Sequence, residues 1–140
     1  MLIISSSRHI AIPLDIEMVQ KALLLGSGFV ATLTVEVLSK ADVHVTVACG
    51  TLSKAETLAA GFKNASSISL DVSDSSALGK AVSGHDVTVS LILYTYHATV
   101  IKAAIKAKKN IVTTSYVSPL MMELNAAAKE AGITVTNEIG

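Results

Sequence analysis

The chain has 140 residues, of which 51% are hydrophobic and 16% charged, and its 11 basic and 11 acidic side chains cancel. This length suits one domain with a sizeable core, and the composition excludes a disordered chain. The zero net charge excludes a global field that would draw the protein to nucleic acid or to a membrane surface. No apolar run reaches the roughly 18 residues that a membrane span requires. We therefore expect neither nucleic acid nor membrane as a partner.

Residues 1–20 are predicted to be an irregular N-terminal extension, followed by one domain over residues 21–140. The extension has two short apolar runs separated by three serines and Arg8. This pattern fits neither a secretory signal nor a transit peptide.

The first motif of the domain is an apolar run over residues 21–25 that leads into the glycine pattern GSGFVA over residues 26–31. A strand, a G-x-G-x-x-A turn and then a helix form the fingerprint of a dinucleotide-binding unit. Gly26 would make the tight turn, Gly28 would let the backbone approach a pyrophosphate, and Ala31 would let the helix pack close to the strand. The alternative interpretation is a glycine-rich turn with no ligand.

Strands and helices alternate along the rest of the domain. Strands are predicted over residues 21–25, 43–48, 67–70, 87–92, 110–113 and 133–135. Helices are predicted over residues 29–40, 54–60, 75–82, 96–106 and 119–131, with Ser53, Asp74 (or Ser73) and Ser118 as N-caps. The fold class is therefore α/β, a doubly wound parallel sheet of the Rossmann, NAD(P)-binding kind. It has about six strands in the order 3-2-1-4-5-6.

Ligands of such sheets lie beyond the carboxyl ends of the strands, so the residues just after each strand are the candidate site. They are Ser27, Gly28, Phe29 and Val30; Cys49, Gly50 and Thr51; Asp71 and Val72; Ile92, Leu93, Tyr94 and Thr95; and Thr114, Ser115 and Tyr116.

The loop after the second predicted strand bears on the choice of cofactor. An NAD site has an acidic residue there, and an NADP site has an arginine, but residues 49–52 carry no charge. The absence of an acid favours NADP over NAD. Thr51, Ser53 and Lys54 could donate to the 2′-phosphate, although a lysine is a point charge and lacks the planar fork of arginine.

Several polar residues have two interpretations. Asp71 could accept from an adenine or cap a turn. His97 could be a partly buried, hydrogen-bonded histidine or a proton-transfer group, the former being favoured. Tyr116 could touch substrate or simply pack. Cys49, the single cysteine, is expected to be a small packed residue and to indicate a reducing, cytoplasmic compartment. With four scattered histidines no metal-ligand spacing appears, and we predict no metal site.

The motifs GSGFVA (26–31), VTVAC (45–49), ISLDV (68–72), TSY (114–116) and NEIG (137–140) together resemble the saccharopine dehydrogenase family of the NADP-dependent, L-glutamate-forming kind. The resemblance extends over about residues 20–140. It implies condensation of aminoadipate semialdehyde with glutamate and reduction of the imine by NADPH to saccharopine, in lysine biosynthesis. These small molecules would be the partners, and a homo-oligomer is an open alternative.

The resemblance also implies roles for individual residues. Cofactor contacts would fall on Ser27, Gly28, Phe29, Val30, Cys49, Thr51, Asp71, Val72, Ile92, Thr114 and Ser115. Substrate contacts would fall on Ser115 and Tyr116. No catalytic residue is assigned.

Three departures from the family pattern limit what we expect. Gly50 stands where the family has the arginine that reads the 2′-phosphate, and Leu93 stands where it usually has proline. The family also continues past Gly140 into a substrate-binding domain, so we expect the nucleotide-binding portion only. The alternatives are a non-catalytic NAD(P)-binding module and an inactive, truncated product.

Overall fold

A seven-stranded sheet runs through residues 2–4, 20–114 and 117–137, the part of the chain that the computed structural model describes. The strands are β1 (Leu2–Ile4), β2 (Lys21–Leu25), β3 (His44–Cys49), β4 (Ala65–Ser69), β5 (Val87–Ser90), β6 (Asn110–Thr113) and β7 (Val135–Asn137). The helices are α1 (Phe29–Lys40), α2 (Leu52–Ala59), α3 (Ser75–Ser83), α4 (His97–Ala107), α5 (Pro119–Glu123) and α6 (Asn125–Ala131), and a 3₁₀ turn covers Tyr94–Tyr96. None of these helices is long and apolar enough to cross a membrane.

The strand order is β1-β7-β6-β5-β2-β3-β4, and the six strands β2 to β7 are all parallel. This confirms the predicted doubly wound sheet, because the six parallel strands follow the order 3-2-1-4-5-6. Strand β1 is an addition that was not predicted. It pairs antiparallel with β7, from Leu2 opposite Asn137 to Ile4 opposite Val135.

The expectation of an irregular extension is therefore wrong for residues 2–4. A sheet edge has unpaired backbone N–H and C=O groups, and an extended segment of almost any composition can satisfy them. The rest of that extension, apart from Gln20, lies outside the described residues.

Two apolar clusters, one on each face of the sheet, form the core. Leu23 and Leu25 belong to the cluster under α3, α4, α5 and α6, whereas Leu24 belongs to the cluster with α1 and α2. Successive side chains of a strand point to opposite faces, so the apolar run of β2 is the pattern expected for a parallel sheet that is covered on both sides.

The start of the second helix differs from the prediction. The N-cap of α2 is Thr51 and not Ser53, and its side chain makes no capping hydrogen bond. The predicted N-cap at Ser53 is therefore wrong, because the chain turns into the helix directly after β3 ends. By contrast, the predicted caps at Asp74 and Ser118 are confirmed, since each side chain accepts from backbone N–H groups of the first turn.

The helix predicted over residues 119–131 is two helices. Leu124 N donates to Met121 O at 3.1 Å, a three-residue step, and Leu124 has φ −85° and ψ −3°. The α-helical ladder is interrupted at that point and resumes in α6, which ends at Gly132 with φ +76°. The last strand then begins two residues later than predicted.

Gly79 and Gly26 give opposite predictions for substitution by alanine. A Cβ on Gly79, inside α3, would meet nothing within 4 Å, so Gly79→Ala should raise the free energy of unfolding by about 0.5–1 kcal/mol. Gly26 has φ +126°, so Gly26→Ala should lower it by about 1–3 kcal/mol through backbone strain. Urea denaturation monitored by circular dichroism measures both. Equal effects of the two substitutions on the free energy of unfolding would contradict the conclusion that only Gly26 is required by its backbone conformation.

Candidate functional site

The carboxyl ends of the parallel strands lie in register along one edge of the sheet. Leu25 at the end of β2 is paired with Ala48 of β3 on one side and with Ser90 of β5 on the other. The connection from β2 to β3 and the connection from β5 to β6 run in opposite directions across the sheet, so a crevice forms at this edge between β2 and β5. The residues that follow each strand are thereby brought to one edge, as the sequence predicted.

The turn after β2 is held by backbone bonds to both neighbouring strands. Gly26 N donates to Ala48 O at 3.0 Å, and Leu91 N donates to Leu25 O at 2.9 Å. A Cβ on Gly26 would lie 3.4 Å from the Leu91 carbonyl oxygen and Cβ, which is ordinary contact. Gly26 is therefore required by its positive φ, not by lack of space.

The first helix begins with its N-terminus open at this turn. Gly28 is the N-cap of α1, no side chain caps the helix, and its first turn has no acidic residue. A Cβ on Gly28 would meet nothing within 4 Å, and Phe29 is 80% exposed. Ala31 is buried, which agrees with its predicted role in close helix–strand packing. Uncapped N–H groups and the helix dipole make such an end suited to an anion.

The loop after β3 is also open. The Cys49 thiol donates to Thr51 O at 2.9 Å, so this cysteine shapes the turn. Gly50 is exposed, and a Cβ on it would meet nothing within 4 Å. A shallow cleft of about 530 Å³ separates α1 from α2, and its polar lining residues are Ser27, Thr32, Ser53, Lys54 and Thr57. Hydroxyls and one lysine are groups that can donate to a phosphate.

After β4, Asp71 caps the turn that leads to α3. Its Oδ1 accepts from Ser73 Oγ at 2.6 Å and from Ser73 N at 2.9 Å. Both bonds lower the pKa of Asp71, and the bond from the Ser73 hydroxyl has the larger effect. The capping interpretation is thus the one that the geometry supports. Val72 is half-buried and packs on the core.

The loops after β5 and β6 complete the edge. Ile92 is half-buried against the core, whereas Leu93 and Tyr94 are each 71% exposed and Thr114 is exposed. Ser115 and Tyr116, the predicted substrate contacts, lie outside the described residues.

A row of buried polar side chains lies just beneath the exposed loops. Ser90, Thr113 and Asn137 are in register at the ends of β5, β6 and β7, and all three are at most 1% exposed. Thr113 Oγ1 donates to Asn137 Oδ1 at 2.8 Å, whereas Ser90 Oγ has no partner among the described residues. Sequence reasoning did not single out Ser90 or Thr113. The sequence feature that could have indicated them is a hydroxyl side chain at a strand position that faces the core.

His97 is fully buried at the start of α4. No hydrogen bond of ordinary geometry reaches either of its ring nitrogens from the described residues. Burial lowers the pKa of His97, and the backbone of Ile92 offsets only part of that effect. The side chain is buried more completely than the partial burial that the sequence predicted, and the expected hydrogen bonds of ordinary geometry are not found among the described residues. In the described part of the chain, no three His, Cys, Asp or Glu side chains are grouped so as to hold a metal ion.

The fold and this edge define a class of protein. A doubly wound parallel sheet, a glycine turn at the switch point and an uncapped helix N-terminus beside it constitute a dinucleotide-binding Rossmann domain.

Comparison with known proteins identifies the family. Residues 22–136 match the family model described as the saccharopine dehydrogenase NADP binding domain, and the chain belongs to this family. It is 59% identical over 121 residues to saccharopine dehydrogenase [NADP(+), L-glutamate-forming] of Pyricularia oryzae. The aligned region covers 86% of this chain and 27% of that protein.

A solved structure and a more distant relative agree with this assignment. The apo saccharopine dehydrogenase (L-Glu forming) of Saccharomyces cerevisiae has a TM-score of 0.82 and 50% identity, over 86% of this chain and 27% of that one. Alpha-aminoadipic semialdehyde synthase, mitochondrial, of Mus musculus is 36% identical over 86% of this chain and 13% of its own length. The chain thus spans about a quarter of the length of its nearer curated relatives.

Burial of His97 predicts acid destabilisation. The free ring titrates near pH 6.5, and the folded ring resists the proton, so below about pH 6.5 the unfolded chain binds more protons and the free energy of unfolding falls. One proton contributes at most about 1.4 kcal/mol per pH unit. His97→Leu should flatten this dependence between about pH 6.5 and pH 5 in urea titrations.

The control for this prediction is His44→Gln, which removes an imidazole that is only partly buried. An unchanged pH dependence in His97→Leu would show that other groups cause the acid sensitivity.

Proposed function

We propose that the chain binds NADP(H) along the carboxyl edge of its sheet, as the nucleotide-binding part of an NADP-dependent saccharopine dehydrogenase. The observation that carries this proposal is the turn from Gly26 to Gly28, which opens onto the uncapped N-terminus of α1 at the switch point. Family membership supports NADP as the cofactor, and residues 22–136 are the part that matches an NADP-binding domain.

The residues present fit a pyrophosphate at this turn. A Cβ on Gly28 would occupy open space directly in front of α1, so its absence leaves room for phosphate oxygens to approach backbone N–H groups. The first turn of α1 carries no acid that would repel them. Cys49–Thr51, Asp71–Val72, Ile92 and Thr114 follow the other parallel strands at the same edge and are proposed to border the adenosine and nicotinamide halves.

The proposed reaction follows from the family. A bound NADPH would supply the hydride that reduces the carbon of the imine formed from aminoadipate semialdehyde and glutamate, with a proton to the imine nitrogen, to give saccharopine. The residues of this chain would bind and orient the cofactor, and Ser115 and Tyr116 are proposed to touch the substrate. A cytoplasmic location is proposed from the single cysteine, which suits a reducing compartment.

The alternative is a module that binds NADP(H) without turnover. It is favoured by Gly50, where the family pattern has an arginine for the 2′-phosphate. NADPH oxidation in the presence of glutamate and aminoadipate semialdehyde distinguishes the two, because the module would bind the cofactor but leave the absorbance at 340 nm unchanged.

Gly50→Arg should tighten NADPH binding by about tenfold or more, equivalent to about 1.4 kcal/mol, because a guanidinium can grip the 2′-phosphate. The site can accept this side chain, since a Cβ there would meet nothing within 4 Å. Isothermal calorimetry with NADPH and NADH measures the effect, which should be absent for NADH.

Gly84→Arg is the matched control. Gly84 caps α3 at the opposite end of the sheet with φ −80°, so arginine adds the same charge away from the site. If Gly84→Arg tightened NADPH binding equally, the effect of Gly50→Arg would be one of net charge only.

Gly28→Val should weaken NADPH binding by about tenfold or more without a large loss of stability. The isopropyl group would fill the space in front of α1 but would meet no protein atom at its Cβ. Calorimetry and thermal unfolding of the same preparation separate the two effects. Unchanged affinity for NADPH would place the phosphates elsewhere.

A further inference from the structure

A groove lies between α3 and α4 on the outer surface of the protein, away from the cofactor edge. Its volume is about 910 Å³. Its lining includes the half-buried small residues Gly79 of α3 and Ala103 and Ala107 of α4, which we call its floor, and the exposed Lys80, Lys102 and Lys106. Neither the glycine turn nor the loops at the carboxyl edge contributes to it.

The size and shape of the groove suit a third helix. Two neighbouring helices leave a channel between their side-chain ridges, and small residues in it let another helix approach closely. The α4 helix has 11 residues and is therefore about 16 Å long, which matches about three turns of a bound helix. A Cβ on Gly79 would meet nothing within 4 Å, so the floor there is open.

The charge of the groove is positive and uncompensated. Neither Ser75–Ser83 nor His97–Ala107 contains an aspartate or a glutamate. The nearest acid along α3 is its N-cap Asp74, whose Oδ1 already accepts from Ser76 N and Ala77 N. No carboxylate in the described part of the chain lies within ion-pairing distance of the three lysines. A ligand with negative side chains would meet no competing acid along either helix.

Two other occupants fit less well. A second copy of this surface would bring two sets of lysines together, which repel each other. A nucleic acid would pair with the lysines but would gain nothing from the apolar floor, and the described residues contain no arginine to read or clamp it.

We propose that the α3–α4 groove binds an acidic amphipathic helix of a partner protein. Its apolar face packs on Gly79, Ala103 and Ala107, and its glutamates or aspartates pair with Lys80, Lys102 and Lys106. This is helix-in-groove recognition, with the apolar floor providing affinity and the lysines selecting acidic partners.

The test uses the full chain and a synthetic peptide of about 14 residues, a length of about four helical turns. The peptide has leucines along one face and glutamates beside them, and a twin has lysine in place of every glutamate. Fluorescence anisotropy should show binding of the acidic peptide at least about tenfold tighter than that of the twin. Added salt should weaken it, because the pairs are exposed.

Two variants separate charge from packing. The double variant Lys102→Glu/Lys106→Glu should lose about tenfold or more of the affinity, whereas Lys63→Glu/Lys129→Glu, with the same charge change outside the groove, should not. Gly79→Leu should also weaken binding by filling the floor, while thermal unfolding remains cooperative. None of these changes should alter NADPH binding, so this proposal and the cofactor proposal fail independently.

Three results would overturn the proposal. The first is equal binding of the two peptides, or equal affinity of the groove and control double variants. The second is binding of a dT oligonucleotide that depends on Lys102 and Lys106, without binding of the acidic peptide. The third is a dimer in sedimentation that Gly79→Leu abolishes, because the occupant would then be a second copy of the chain.

Discussion

The burial of β2 on both faces and its pairing on both edges is the constraint on which the rest of the structure depends. Leu23 and Leu25 face one apolar cluster and Leu24 the other, so the strand has no solvent-facing side. Such a strand is stable only if helices cover both faces. Right-handed crossovers place α1 and α2, which follow β2 and β3, on one face, and α3 to α6, which follow β4, β5 and β6, on the other. Because the parallel partners are in register, the parallel strands β3 to β7 end at the same edge as β2.

That edge differs from the core in one important respect: its backbone groups are not all used internally. The turn at Gly26 is fixed by bonds to β3 and β5, yet the helix that follows begins without a cap. An uncapped N-terminus needs water or an anion to satisfy its N–H groups. The stability of the sheet and the proposed nucleotide site thus depend on the same short segment. Membership of the saccharopine dehydrogenase family is consistent with this use of the segment.

The elements that could be predicted were those with strong local signals. The side chains of Asp74 and Ser118 cap α3 and α5, because a carboxylate or a hydroxyl can bond to first-turn N–H groups whatever surrounds it. The predicted start of α2 was wrong because the end of β3 sets where the chain can turn into the helix. The length of β3 depends in turn on its pairing with β4. The break at Leu124 and the pairing of β1 likewise depend on distant contacts. Among the residues of the candidate site, Gly26 and Gly28 were recognisable from their spacing. Ser90 and Thr113 were not, because a hydroxyl inside a strand looks the same on either face.

The sequence by itself determined the fold class and the order of the parallel strands, because apolar periodicity, glycine spacing and caps act over a few residues. It also indicated the family, through the resemblance of its motifs. Only the tertiary structure decided which side chains share an environment. It buried His97 without hydrogen bonds of ordinary geometry at its ring, aligned Ser90, Thr113 and Asn137 at three strand ends, and brought lysines of α3 and α4 around one groove. These groups come together because strand register and helix packing are set by the whole core. A local stretch of sequence does not indicate which distant residues will pack against it.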